Sequence, residues 1–149
     1  MNRNFTAVAA TIVIALTATA VMAESDTIKE RKTLFKEWGD DTKPLGEMLK
    51  GKEKFDLAAV QKALDAYAKH AKVLPDLFPA GSDKGGDTEA LPAVWQDKAK
   101  FNDGLSKLGT DAAAARAAIK DEASFKANFP GVVGNCKSCH DNFREKKKS

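Results

Sequence analysis

From residue 26 onward, apolar residues recur in steps of three and four, interrupted by breakers. In the first stretch Ile28, Arg31, Phe35, Trp38, Thr42, Leu45 and Leu49 fall on one face, the spacing of an amphipathic helix. Asp26 or Thr27 is placed to cap its start and Gly51 to end it, while Pro44 should bend it by removing a backbone donor. A second helix opens at Asp56, a good N-cap, and carries Leu57, Val60, Leu64, Tyr67, Ala71 and Leu74 before Pro75 and Pro79. Residues 80–90, AGSDKGGDTEA, read as the longest loop and as exposed and mobile. The third helix carries Val94, Phe101, Leu105, Leu108, Ala112, Ala115 and Ile119, with Pro92 in its first turn. After a break near Lys120–Asp121, a fourth carries Phe125, Phe129, Val132, Cys136, Cys139 or His140, and Phe143, with Pro130 placed to kink it. No stretch alternates as a strand does. Four apolar seams closing on a shared core predict an all-α fold, an antiparallel four-helix bundle.

The start of the chain has a different character. Arg3 is followed by an uncharged, mildly apolar run over 5–20, and Val21-Met22-Ala23 offers small residues for cleavage before the charged sequence begins at Glu24. This is the three-part pattern of a secretory signal peptide. The run of about sixteen residues is shorter than the roughly 20 that a membrane-spanning helix needs. The expected organisation is a signal peptide over 1–23 and one domain over 24–149, exported to the periplasm, with no membrane span in the mature chain. The net charge of +3, one unit of it from Arg3, is too balanced to argue for nucleic acid. The Lys146–Lys148 tail reads as a solvated end.

Against this background the stretch GNCKSCHDNF, Gly134 to Phe143, stands out. The chain has two cysteines and two histidines, and three of the four lie within five residues. In C-x-x-C-H the two thiols sit one helical turn apart and reach the same edge of a flat macrocycle. Cys136 and Cys139 can add across the two vinyl groups of haem, and His140 can offer its imidazole to the iron. Three other readings are weaker. A redox dithiol sits at a helix start in an α/β fold, which this pattern lacks. A disulfide leaves His140 idle. A zinc site needs a fourth ligand, and His70 is the only other histidine.

With these residues in place, the chain resembles the cytochromes c′, the high-spin members of the class II c-type cytochromes. The resemblance rests on an Arg one turn before the iron-facing position of the first helix, KGKEKFD after that helix, and Gly85-Gly86, Pro92 and Trp95 before the third. It rests as well on Phe129 followed, after six residues, by CKSCHDNFR. It implies one covalently attached haem c near the C-terminus of the last helix, with Cys136 and Cys139 in thioether bonds and His140 as axial ligand. It places Phe35 in the distal pocket, where low-spin relatives carry a ligating Met. Met48 lies thirteen residues further on, roughly 20 Å along a helix, so a five-coordinate, high-spin iron is expected. Arg31 is expected to pair with a haem propionate rather than to snorkel to solvent. Arg144 is either a tuner of the proximal pocket or a plain surface residue, and His70 is expected at the surface. The implied role is electron transfer with small periplasmic redox proteins. The alternative is binding of diatomic gases such as nitric oxide or carbon monoxide at the vacant site. Neither is an enzymatic role. The resemblance is also compatible with a homodimer built on the first two helices.

Overall fold

The computed structural model describes the backbone of residues 15–146 and the side chains from Asp26 onward. The expected signal segment, 1–23, and most of the basic tail therefore lie outside what is described, apart from the backbone of 15–23. The elements are α1 (Ala15–Leu49), α2 (Leu57–Val73), a 3-10 turn (Leu74–Leu77), α3 (Ala93–Gln96), α4 (Lys98–Ala118) and α5 (Glu122–Phe143). Among the described residues the backbone is otherwise turns, loop and one isolated bridge, between Ala90 and Arg144.

Short polar residues set most of the boundaries. Asp56 accepts a hydrogen bond from the Ala59 N–H and starts α2. Asp121 and Ser124 form a reciprocal capping box at α5, and such caps are each worth about 1 kcal/mol. Gly51, at φ +71°, ends α1 in the left-handed conformation that glycine adopts without strain. The Gly51 N–H there donates to Met48 O and the Lys52 N–H to Glu47 O.

Two expected boundaries are corrected. Neither Asp26 nor Thr27 starts α1, which is already helical at Ala15; the Asp26 carboxylate lies 3.6 Å from Lys29 Nζ instead of capping. The third helix is not continuous. The chain breaks at Asp97 (φ −126°, ψ 58°), whose carboxylate accepts from the Lys100 N–H and caps α4. Pro92 precedes only the four-residue α3. Pro44 and Pro130 lie inside α1 and α5 without ending either helix.

Cross-helix contacts give the directions. Trp38 and Thr42 of α1 meet His70 and Tyr67 of α2. Gly109 and Arg116 of α4 meet Ala71 and Asp65 of α2. Asp111 and Phe101 of α4 meet Asn135 and Phe143 of α5. Each pair runs antiparallel, as the expected bundle requires, with α1, α2, α4 and α5 as its four helices. The seams are buried as their spacing implied: Val60, Leu64, Ala112, Ile119, Phe125 and Phe129 are fully enclosed. In α1 the inward residue of the last turn is Met48, with Leu49 half-buried.

The α2–α4 interface is the tightest. A methyl group at Gly109 would sit 3.0 Å from Ala71 Cβ, which cannot rotate away, whereas Gly104 on the same helix faces open space. Gly104→Ala is expected to raise the free energy of unfolding by ~0.5–1 kcal/mol through backbone entropy. Gly109→Leu should lower it by ~1–3 kcal/mol through overpacking. Denaturant midpoints of the purified protein check both.

Candidate functional site: the CKSCH turn and the row of rings beside it

The bundle is not closed equally on all sides. α1 leans on α2 and on the Leu74–Leu77 turn, and α5 leans on α4 and α3, but α1 and α5 form no extensive interface with each other among the described residues. A row of rings links them instead. Phe35 on α1 meets Phe78 (centroids 6.3 Å apart), Phe78 meets Phe101 of α4 (4.7 Å), and Phe101 meets Phe143 of α5 (5.4 Å). Phe35 also packs edge-on against Trp38. Edge-to-face contacts of this kind are favourable for π-systems and fix ring orientation.

One turn before Phe143 lie Cys139 and His140. Cys136 and Cys139 are half-buried against the core, and their sulfurs are not bridged. Burial pushes the Cys139 thiol up to about 11 and raises that of Cys136 as well. Reactive dithiols instead have depressed pKa values, so these thiols lack the electrostatics of a redox pair. His140 lies at the rim. Partial burial, followed by the charge of Arg144, lowers its pKa, which favours the neutral imidazole that can donate a lone pair to a metal. Among the described residues, no three His, Cys, Asp or Glu side chains converge as a metal-ion set. Two neutral thiols one turn apart, a neutral imidazole beside them and a row of rings reaching from α1 to α5 fit a haem held by its edge.

Tyr67 stands behind this turn. Its hydroxyl lies 2.7 Å from Thr42 Oγ1, and Thr42 donates in turn to Trp38 O. Burial raises the Tyr67 phenol to about 12, with Cys136 adding to the effect. His70 is corrected from a surface residue to a buried one, only 8% exposed. It stacks on Trp38 and places Nε2 3.6 Å from a Glu37 carboxylate oxygen. Covering the Trp38 indole is what draws it in; sequence spacing put His70 on the flank of α2.

Arg31 is the largest fully buried side chain, at 2% exposure. Its NH1 donates to Leu77 O (3.2 Å) and Ser82 Oγ (2.9 Å), and its NH2 to Ser82 O (2.8 Å) and Thr88 Oγ1 (2.9 Å). The guanidinium also lies 4.4 Å above the Phe78 ring and 5.6 Å from that of Trp95. These partners are carbonyls, hydroxyls and π-faces, none of them an anion. A buried charge so placed is costly unless a counter-charge completes it, and a carboxylate ligand group would supply one. The side chain does not snorkel to solvent.

The same bonds revise the reading of the 80–90 loop. Gly81, Asp83 and Asp87 are exposed, but Ser82 is fully buried. Lys32 holds Asp87 through both its carbonyl and its carboxylate. Gly86 sits so close to Ile28 that an added Cβ would lie 3.2 Å from its Cδ1. Sequence reasoning missed this clamp; the hydroxyls of Ser82 and Thr88, in reach of a lone Arg on an apolar seam, were the available signal. Arg144 does not stand free either. Its Nε and NH2 both reach Glu89 Oε2, at 2.6 and 2.5 Å.

A family model described as Cytochrome C′ matches residues 26–144. The curated cytochrome c′ of Rhodopseudomonas palustris is 59% identical over 126 residues, covering 85% of this chain and 86% of that protein. Cytochrome c-556 of the same organism is 36% identical over 138 residues, covering 89% of this chain and 92% of the relative. Among solved structures, cytochrome c′ from Rhodopseudomonas palustris matches with a TM-score of 0.80 and 59% identity, covering 83% of this chain and 99% of that one.

Replacing Arg31 by Met removes four hydrogen bonds to residues 77–88 while keeping most of the volume. Backbone hydrogen exchange should then speed up through 78–88 and stay unchanged in the middle of α2. Exchange followed by mass spectrometry reads both regions at once. Equal protection of the loop in the variant would show that Arg31 is not its clamp.

Proposed function

Because this chain belongs to the cytochrome c′ family and so is a haem c-binding cytochrome, we propose that the CKSCH turn of α5 is the attachment site. Cys136 and Cys139 would hold the haem covalently, each S–H adding across a vinyl group to give a thioether, and His140 would offer its imidazole lone pair to the iron. Arg31 supplies the positive charge that answers a propionate. Its four N–H bonds stay with the loop, so it acts chiefly through its uncompensated charge. Arg144 borders the proximal side.

When bound, the haem supplies a one-electron couple between ferrous and ferric iron and an axial position open to a small neutral ligand. Phe35 is the residue assigned to the distal face. The observation that carries this reading is its surroundings. Its ring neighbours are Trp38 and Phe78, which offer no lone pair suited to iron. Met48 is committed to the core, 6% exposed. The haem is then five-coordinate and high-spin.

The role proposed first is electron transfer in the periplasm with a small redox protein, not catalysis. The signal-like start of the sequence supports export, and none of the described helices is long and apolar enough to cross a membrane. A second role, binding of nitric oxide or carbon monoxide, is favoured by that same apolar face around Phe35. The rings of Phe35 and Phe78 suit neutral diatomics, and the buried Trp38 indole N–H, left without a hydrogen-bond partner, is a donor within the same wall.

Phe35→Met discriminates the distal assignment. A thioether at that position should convert the ferrous spectrum from high-spin to low-spin. A thioether bond favoured by only about 1.4 kcal/mol leaves roughly a tenth of the iron open, slowing carbon monoxide association about tenfold. Optical spectra and flash photolysis measure the two effects. A variant with wild-type spectrum and wild-type kinetics places residue 35 away from the iron.

A further inference from the structure

Residues 77–91 run as a strap held at both ends by arginines that flank the proposed haem site. At one end Arg31, one turn before Phe35, grips Leu77, Ser82 and Thr88. At the other end Arg144, one turn after His140, places two N–H groups on the same Glu89 oxygen, at 2.6 and 2.5 Å. The backbone is stitched at the same place. The Leu91 N–H donates to Phe143 O at 2.9 Å, the Glu145 N–H donates to Glu89 O at 2.7 Å, and Ala90 bridges Arg144.

The stitch falls where a helix is weakest. The last turn of a helix has carbonyls without intrahelical partners and tends to fray. In α5 that last turn carries His140, and its closing bond, from the Arg144 N–H to His140 O, is long at 3.3 Å. Leu91 takes up the free Phe143 carbonyl, and Glu89 fixes the side chain of the residue that ends the helix. With α1 and α5 forming no extensive interface among the described residues, the strap and the row of rings are what span them. A concavity of about 260 Å3 lined by His140, Asp141, Arg144, Glu145 and Lys146 opens beside the stitch. An unpinned Arg144 would have room to move there.

We infer that Glu89 is a positioning residue for His140. Through Arg144 and the bridge it fixes the turn that carries the axial imidazole, and the strap ties that setting to the Arg31 and Phe35 side. The inference deepens the haem reading and rests on it. Glu89 and Arg144 are 46% and 40% exposed, and pairs this exposed add little to stability. Its effect is therefore on orientation.

The test is resonance Raman spectroscopy of the ferrous holo-protein, which reads the iron–imidazole stretching band. Glu89→Ala should shift and broaden that band and change carbon monoxide association by about tenfold, the lower end of what residues supporting a metal ligand contribute. Its thermal midpoint should stay close to wild type. Glu89→Arg combined with Arg144→Glu rebuilds the pair with its charges exchanged and should return the band toward its original position and width. An unmoved band in Glu89→Ala overturns the inference, as does a charge exchange that leaves the band where Glu89→Ala put it. A wild-type protein with no iron–imidazole band, or one whose band survives His140→Ala, overturns the haem reading beneath it. The two failures are thus distinguishable.

Discussion

Among the described residues, three of the four helix interfaces in this bundle close by direct packing, and α1 and α5 meet only sparsely. α1 and α5 are joined through Phe35, Phe78, Phe101 and Phe143 and through the strap over 77–91. Interiors pack densely, and direct helix contacts leave this side the least covered among the described residues. The CKSCH turn lies on α5, and in the proposed attachment a flat macrocycle joined to that helix by its edge would pack there. Fold and cofactor would then be one problem, because burial of the haem faces would add to the core.

Electrostatics around the CKSCH turn and the ring row follow the same logic. Burial raises the thiols of Cys136 and Cys139 and holds His140 below the usual imidazole range, so all three tend toward their neutral forms. The unbalanced element is the buried cation, Arg31, with Lys98 near the same Phe78 ring and donating to the carbonyls of Pro75 and Phe78. Each cation lowers its cost by stacking on rings and collecting carbonyls; Lys98 also feels the Asp76 carboxylate, whereas none of the hydrogen-bond partners of Arg31 is an anion. An anionic haem edge would be welcome there.

Much of this was legible in the sequence because it is local. Asp56 announces a helix start by a side chain acting within three residues and Gly51 a helix end by its backbone freedom, and seams such as Val60–Leu64–Tyr67 follow from spacing alone. The C-x-x-C-H turn is equally local. The break at Asp97 was hidden because the step from Val94 to Phe101 keeps helical phase across it, and only the backbone shows that Asp97 caps α4. His70 escaped because its burial depends on Trp38 of another helix. Glu89 and Arg144 pair across 55 positions, and Arg31 grips Ser82 across 51. No periodicity encodes such pairs. The CKSCH turn could be read from the chain, whereas the strap stitched to the end of its helix is a product of the tertiary structure.

The account turns on an iron with His140 on one side and a ring without a donor on the other. Electron paramagnetic resonance of the oxidised wild-type protein reads that arrangement directly, since axial ligand number sets the spin state. The account predicts a high-spin ferric signal from a haem that stays with the denatured chain. A low-spin signal from the native protein would contradict it, because some other side chain would then complete the iron's coordination opposite His140.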